Sequence, residues 1–544
     1  MKMLTAAPRA LLATVFFIAA LFCAANALAQ TNSDPERLRA RLEALRKTEA
    51  AARPNARERK VLDAAGLLYE ARGYAPIWDQ PARREALLTE LAGTAADGLD
   101  PDDYALERLR KAWSASPSDE AERHGAELLA TQALLRALGD LYRGMADPAR
   151  LDGDWNFAPR PLDMGEAIRS VADAVESGKI AALFERARPP QAPYRDLRAG
   201  LARLRALEAQ GGWPTLPPGP TLKPGVSDAR VPILRQRLAA GGYLASAEGG
   251  EVYDAALVDA VRRFQDEQFI KADGAVGEGT RAALALPVSK RIEQVRVNLE
   301  RARWLLHEAE GDFVLVDIAG YKVTLYRGGK VTWSARVQVG TPFRKTPVFK
   351  SQINRVTLNP TWTVPPGIMR KDTLPKIRKD PGYLAKNRMR VIDASGQEVP
   401  ASSVDWSNPR GVVVRQDAGE GNSLGRVVIR FPNEHAVYLH DTPHTEHFAD
   451  AQRIFSSGCI RVENPRELAT LVLDDPTWDR AAIDRAIDAG KTLEVAVKRP
   501  LTLLLGYWTV QLHEGGRIAY KTDVYGFDAG VLAALNAPVR YAGD

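Results

Sequence analysis

Four of the seven histidines, His435, His440, His444 and His447, fall within thirteen residues, and Cys459 follows His440 by nineteen positions. Two chemistries fit such a grouping: zinc held by clustered imidazoles, or a cysteine nucleophile served by a histidine base. A zinc helix carrying His440, His444 and His447 is interrupted by Pro443, and no Glu follows His440 in the place of a metallopeptidase base. The nucleophile reading needs less. Alternation along Val437-Tyr438-Leu439-His440 buries Val437 and Leu439 and aims Tyr438 and His440 at the opposite face of a strand. Ser456-Ser457-Gly458-Cys459 is small and flexible, as a tight turn must be if its N–H groups, those of Gly458 and Cys459, are to face an oxyanion beside the sulfur. An imidazole sharing that pocket holds the sulfur as thiolate, the form that attacks a carbonyl. The base must itself be oriented, and both the backbone carbonyl and the carboxylate of Asp441 qualify. This chemistry calls for no cofactor and no metal.

The elements that position these residues are strands. From Phe313 the apolar period changes to two: Phe313 to Ile318, Lys322 to Tyr326 and Val331 to Val339 read as successive hairpin strands with Gly328-Gly329 at a turn. Strands resume at Val427 to Arg430 and Ala436 to His440, a helix spans about Arg466 to Leu473, and Leu493 to Val497 ends the sheet. The tail from Leu501 to Tyr525 carries a further strand pair. Between Pro365 and Gly425 lies a polar stretch too long for an ordinary loop, read as an insertion over about 368–422 that caps the site. Gly340 and Pro347 read as turn residues and Trp362 as core.

Upstream the pattern is helical. Residues 30–211 are rich in Ala, Leu, Arg and Glu, with Leu128, Leu129, Leu134, Leu135, Leu138 and Leu141 at helical spacing and no cluster of reactive groups, which makes this a scaffold. Residues 212–226 are a Pro- and Gly-rich linker, residues 227–286 a unit of three short helices, and residues 287–311 a connecting amphipathic helix.

The whole chain has 544 residues, of which 45% are hydrophobic and 26% charged, so wholesale disorder is excluded. A net charge of +6, with Lys and Arg interleaved among acids, argues against a nucleic-acid partner. Residues 1–29 read as an export signal: Lys2 and Arg9, the apolar stretch from Leu11 to Ala25, then Ala27-Leu28-Ala29 as cleavage site. Retention as a membrane anchor is the other reading of that segment, and both put the bulk of the chain outside the cytosol, in the periplasm. Phe22 before Cys23 disfavours lipidation. Removal of Cys23 with the signal leaves Cys459 as the single cysteine in an oxidising compartment, where an unpaired thiol calls for a chemical reason.

Two resemblances sharpen this reading. Phe264-Gln265, Asp273-Gly274, Val276-Gly277 and Thr280 resemble the peptidoglycan-binding module. Tyr438-Leu439-His440-Asp441-Thr442-Pro443 followed by Phe455-Ser456-Ser457-Gly458-Cys459-Ile460-Arg461-Val462 resembles the signature of L,D-transpeptidases, with Gly340-Thr341-Pro342, Thr346-Pro347 and Asn359 to Pro365 as further matches. Ser457 stands where that signature has a second His, a variant similar to the large multidomain branch, so the base role falls on His440 alone. The resemblance implies a multidomain chain: an α-helical N-terminal scaffold and a three-helix binding module, then a mostly β catalytic domain over 312–497 with its inserted cap and a C-terminal extension over 498–544. It implies that Cys459 takes an acyl group from a donor tetrapeptide stem of peptidoglycan and passes it to the amine of an acceptor stem, forming a 3→3 cross-link. Gly458, Ser457, Tyr438 and Asp441 are then candidates for oxyanion binding and orientation, and Arg461 and Trp362 for substrate binding. Cell-wall synthesis proteins are candidate partners. Rival readings are a carboxypeptidase or cross-link hydrolase using the same cysteine, and a wall-binding protein in which Cys459 is inert.

Overall fold

The computed structural model describes residues 34–51, 56–115, 119–513 and 516–541; the expected export signal over residues 1–29 lies outside them. The chain forms two compact units, one comprising Met1–Met145, Arg160–Pro190 and Leu535–Asp544, the other Ala146–Pro159 and Gln191–Ala534.

The first unit is helical. Its longest helix, Glu120–Arg143, starts at an Asp119 side chain that caps the Ala121 N–H. It buries Leu128, Leu134 and Leu141 on a face that meets the helices Ala56–Ala71 and Pro81–Gly93. The buried Glu127 carboxylate in this helix accepts from the N–H groups of Ile77 and Trp78 and from the Tyr69 hydroxyl, so a charged residue is tolerated in the core because its oxygens are satisfied.

In the second unit the helices Val231–Ala240, Ala255–Glu267 and Glu278–Leu284 share a core of Leu234, Leu238, Leu257, Val261, Phe264 and Leu284. The Phe264-Gln265 motif has a local structural cause. Buried Gln265 accepts from the Gly274 N–H at 2.8 Å and donates to the Ala275 carbonyl at 2.8 Å and Thr280 Oγ1 at 3.0 Å, closing the turn that opens the third helix. Gly274 sits in that turn at φ +75°, where a side chain is disfavoured. Helix Val288–Leu305 packs with Ala192–Ala209 through Leu197, Leu201, Val295 and Leu299.

The rest of this unit is built on strands β1 (Phe313–Asp317), β2 (Lys322–Arg327), β3 (Lys330–Gly340), β4 (Phe349–Leu358), β5 (Trp362–Thr363), β6 (Met389–Asp393), β7 (Glu398–Val399), β8 (Val412–Gln416), β9 (Val427–Arg430), β10 (Leu439–His440), β11 (Ile454–Ser456), β12 (Ile460–Val462), β13 (Leu493–Gly506), β14 (Val510–Leu512) and β15 (Ile518–Tyr520). Nine of them form one sheet in the order β11-β3-β12-β10-β9-β4-β13-β1-β2, and an additional β2–β3 pairing closes it on itself. Strand β3 is long enough to pair twice, with β2 through its first half and with β12 and β11 through its second. Helix Pro465–Leu473 covers β4, β9 and β13, burying Leu468, Val472 and Leu473.

Strand β13 differs from the sequence expectation. The expected end at Val497 is only a register shift between Ala496 and Leu501; the strand continues to Gly506, and Thr502 to Gly506 pair in parallel with β1. Lys498-Arg499-Pro500 masks this in the sequence, because a bulge carries charged residues and Pro without ending the strand. The expected strand pair of the tail is β14–β15. The insertion is a small folded body: β5-β8-β6-β7 form a second sheet around Val364, Ile377, Leu384, Met389, Val391 and Val414, with short helices between residues 366 and 386. Pairing of Trp362 with Gln416 starts it six residues before the expected boundary.

Candidate active site

Strand pairing puts the reactive residues in one row. Strand β10 runs parallel to β12 with Leu439 opposite Ile460 and His440 opposite Arg461, and the Ile460 N–H donates to the Tyr438 carbonyl at 2.9 Å. Side chains alternate along strands, so Leu439 and Ile460 share the buried face while Tyr438, His440, Cys459 and Arg461 share the other. The row continues sideways through Gln338 of β3, opposite Arg461, and Val428 of β9, opposite His440.

His440 is 4% exposed, and its Nδ1 lies 2.5 Å from the Asp441 carbonyl. A carbonyl only accepts, so Nδ1 carries the proton and Nε2 keeps its lone pair. Of the two orienting groups expected at Asp441, the carbonyl holds the ring. The carboxylate is turned away, accepting from the N–H groups of Arg426 and Thr442 at 2.8 Å each. Burial, then the charge of Arg461, pull the imidazole down to about 3, so it is neutral at physiological pH.

Cys459 is partly exposed, and its thiol donates to the Ala436 carbonyl at 3.6 Å. Burial pushes the thiol up, opposed by the Tyr438 N–H and by Arg461. Both shifts favour the uncharged forms, thiol and neutral imidazole, over the thiolate that the sequence suggested. Desolvation is the first cause of both shifts.

The turn before Cys459 is tied down. The Ser456 hydroxyl donates to the Cys459 carbonyl at 2.5 Å and accepts from the Gly458 N–H at 3.1 Å. Of the two N–H groups expected at an oxyanion, that of Gly458 is therefore engaged, whereas that of Cys459 makes no hydrogen bond among the described residues. Gly458 adopts φ +114°, a conformation open to glycine. Ser457 Oγ accepts from Arg344 at 2.8 Å, and Arg344 also pairs with Asp372 of the inserted body at 2.5 and 3.0 Å. Arg461 donates to Gln338 Oε1 at 3.1 Å, and its buried Nε has no partner among the described residues. The Tyr438 ring packs under the guanidinium of Arg430 at 4.9 Å. Trp362 lies elsewhere, against the core of the inserted body.

The zinc reading has no geometric support. His444 is exposed beside Glu446, His447 stacks on Phe455 and pairs with Asp450, and His435 packs on Phe349. No three of these histidines and Cys459 bring ligand atoms together among the described residues.

Residues 311–488 match the family described as "L,D-transpeptidase catalytic domain". Over these residues the chain is similar to the L,D-transpeptidase catalytic domain. Residues 63–201 match a "Scaffold domain" and residues 227–284 a "Putative peptidoglycan binding domain", so the transpeptidase domain follows a helical region and a three-helix module, as the resemblance implied. A protein of Haemophilus influenzae named "Putative L,D-transpeptidase" is 34% identical over 258 residues, which is 46% of this chain and 52% of that protein. The chain thus spans about half the length of the curated relative it matches. Among solved structures, an L,D-transpeptidase fragment from Xylanimonas cellulosilytica is 16% identical with a TM-score of 0.16, covering 53% of this chain and 100% of that one. An L,D-transpeptidase from Stackebrandtia nassauensis is 13% identical with a TM-score of 0.21, covering 54% and 97%. At scores this low neither likeness bears on the fold.

Within the transpeptidase domain, the sequence pattern did not point to Ser456 as a double bonding partner, to Arg344 and Asp372, or to Gln338. Ser456 carried a signal, being a hydroxyl three residues before the thiol in a tight turn. Arg344 reaches Ser457 across 113 positions, a contact that no local pattern encodes.

Proposed function

We propose that the protein is an L,D-transpeptidase that forms 3→3 cross-links between diaminopimelate residues of peptidoglycan through a thioester on Cys459. The observation that carries this reading is the pairing of His440 with Arg461, two residues past Cys459, on one face of the sheet, with the imidazole oriented through Nδ1 by the Asp441 carbonyl.

In the first step the Cys459 sulfur attacks the carbonyl at the L-centre of diaminopimelate in a donor tetrapeptide, and its proton passes to His440 Nε2. The Cys459 N–H stabilises the tetrahedral oxyanion. The bond to D-Ala breaks, and the departing amine takes the proton from His440, leaving a thioester and neutral imidazole. In the second step the side-chain amine of an acceptor stem attacks the thioester and gives a proton to His440. The sulfur then leaves and recovers that proton, and an amide joins the two stems. Because the thiol and imidazole are neutral at rest, proton transfer accompanies attack and does not precede it. Arg461, with its unpartnered Nε, offers a donor to a stem carboxylate. The inserted body, tied to the Cys459 turn through Asp372, Arg344 and Ser457, limits access of water to the thioester.

The three-helix module holds the enzyme on the peptidoglycan that is its substrate, and the export signal delivers it to the periplasm. Mass spectrometry of products from purified tetrapeptide muropeptides tests the reaction. A dimer joined through two diaminopimelate residues and lost in Cys459→Ala is expected; trimmed monomers alone point to a carboxypeptidase.

A further inference from the structure

The peptide unit between Gly458 and Cys459 holds two groups that point in opposite directions, the Gly458 carbonyl and the Cys459 N–H. The unit is planar and trans, so whatever fixes the carbonyl fixes the N–H as well. The carbonyl accepts from Thr346 Oγ1 at 2.9 Å. The direction of that bond is forced, because the same hydroxyl accepts from the Gly340 N–H at 2.9 Å and its single proton is left for Gly458.

Thr346 is in turn held from outside the matched catalytic domain. The Tyr525 hydroxyl accepts from the Thr346 N–H at 3.1 Å and donates to the Gly340 carbonyl at 2.7 Å. Tyr525 is buried, stacks on Tyr507 at 5.5 Å, and its own carbonyl accepts from Lys345 Nζ at 2.9 Å. The loop it clasps cannot relax elsewhere: a Cβ on Gly340 would lie 2.1 Å from the Arg344 carbonyl oxygen, so the segment from Gly340 to Thr346 is folded back on itself. Burial pushes the Tyr525 phenol up, which keeps its proton in place across the working pH range.

We propose that Thr346, and Tyr525 from the segment that follows the matched domain, are positioning residues that aim the Cys459 N–H at the oxyanion of the acyl-transfer steps. Ser456 holds the Gly458 N–H and the Cys459 carbonyl on either side of this peptide, and the chain from Tyr525 through Thr346 fixes the Gly458 carbonyl itself. The inference rests on Cys459 as the nucleophile.

Two reactions of the same sulfur separate aim from integrity. Acylation by a donor tetrapeptide develops an oxyanion and needs the aimed N–H; displacement on iodoacetamide develops none. In the full chain, Thr346→Val should slow acylation roughly a hundredfold, as loss of one oxyanion donor does, and Tyr525→Phe about tenfold. Thr346→Ser, which keeps the hydroxyl, should restore most of the rate. All three should be alkylated within about twofold of the parent. Acylation of Thr346→Val and Tyr525→Phe at the parent rate overturns the proposal, as does a parallel fall in acylation and alkylation. If the parent forms no adduct at Cys459, the nucleophile reading itself fails, a result distinct from unaltered acylation in the variants.

Discussion

The neutral state of the thiol and imidazole is open to a direct kinetic test. Burial pushes the Cys459 thiol up, so the thiolate is the minor form at pH 7. His440, at about 3, is not protonated above pH 5 and offers no positive charge to hold a thiolate. The rate of alkylation by iodoacetamide, a neutral reagent that reports thiolate, should therefore rise about tenfold per pH unit from pH 5.5 to 8 without a plateau. Removing the imidazole in His440→Gln should leave that slope in place, because the ring contributes no charge, yet abolish acyl transfer, which needs a proton acceptor. The assay is pseudo-first-order loss of free thiol followed by intact mass. A plateau between pH 5 and 7 in the parent that disappears in His440→Gln would show a preformed ion pair and refute the desolvation argument.

Acid stability tests the same burial from another side. His440 has a folded value near 3 against about 6.5 unfolded, so its contribution is fully present above pH 6.5 and is lost as pH falls toward 3. At pH 5 the loss is about 2 kcal/mol, and subtracting the profile of His440→Gln from that of the parent isolates this group from the buried carboxylates. Ser456→Ala leaves the Gly458 N–H and the Cys459 carbonyl without partners and should lower stability by roughly 2–4 kcal/mol, read from chemical denaturation, with slower acylation. Arg461→Gln removes the charge that favours the thiolate, so alkylation at pH 7 should slow about threefold while the slope with pH stays near one.

What the sequence made legible follows from range. Alternation in Val437 to His440 and the small residues before Cys459 are local, and they were enough to put Tyr438, His440 and Cys459 on one face. The Asp441 carbonyl was legible because it adjoins the histidine; the choice between it and the carboxylate was not, since that depended on Arg426 and Thr442 supplying N–H groups to the carboxylate. The desolvation that disfavours charge on both groups was not legible, because burial of His440 depends on contacts far along the chain. Thr346 entered only as part of a motif match and Tyr525 only as the end of the tail's strand pair, since the bonds they make span 112 and 179 positions. Strand β13 was cut short by the charged residues and Pro of its bulge, and the inserted body was hidden by its polar surface, with a core of few apolar residues spread between Trp362 and Val414.

Whether the Cys459 sulfur carries the acyl group decides between acyl transfer and an inert thiol. Intact-mass analysis of the parent and of Cys459→Ala after incubation with donor tetrapeptide measures it. The expected result is an adduct of the donor minus D-Ala on the parent, mapped to Cys459 and absent from the variant; an adduct that persists in Cys459→Ala, or cross-linking by that variant, contradicts it.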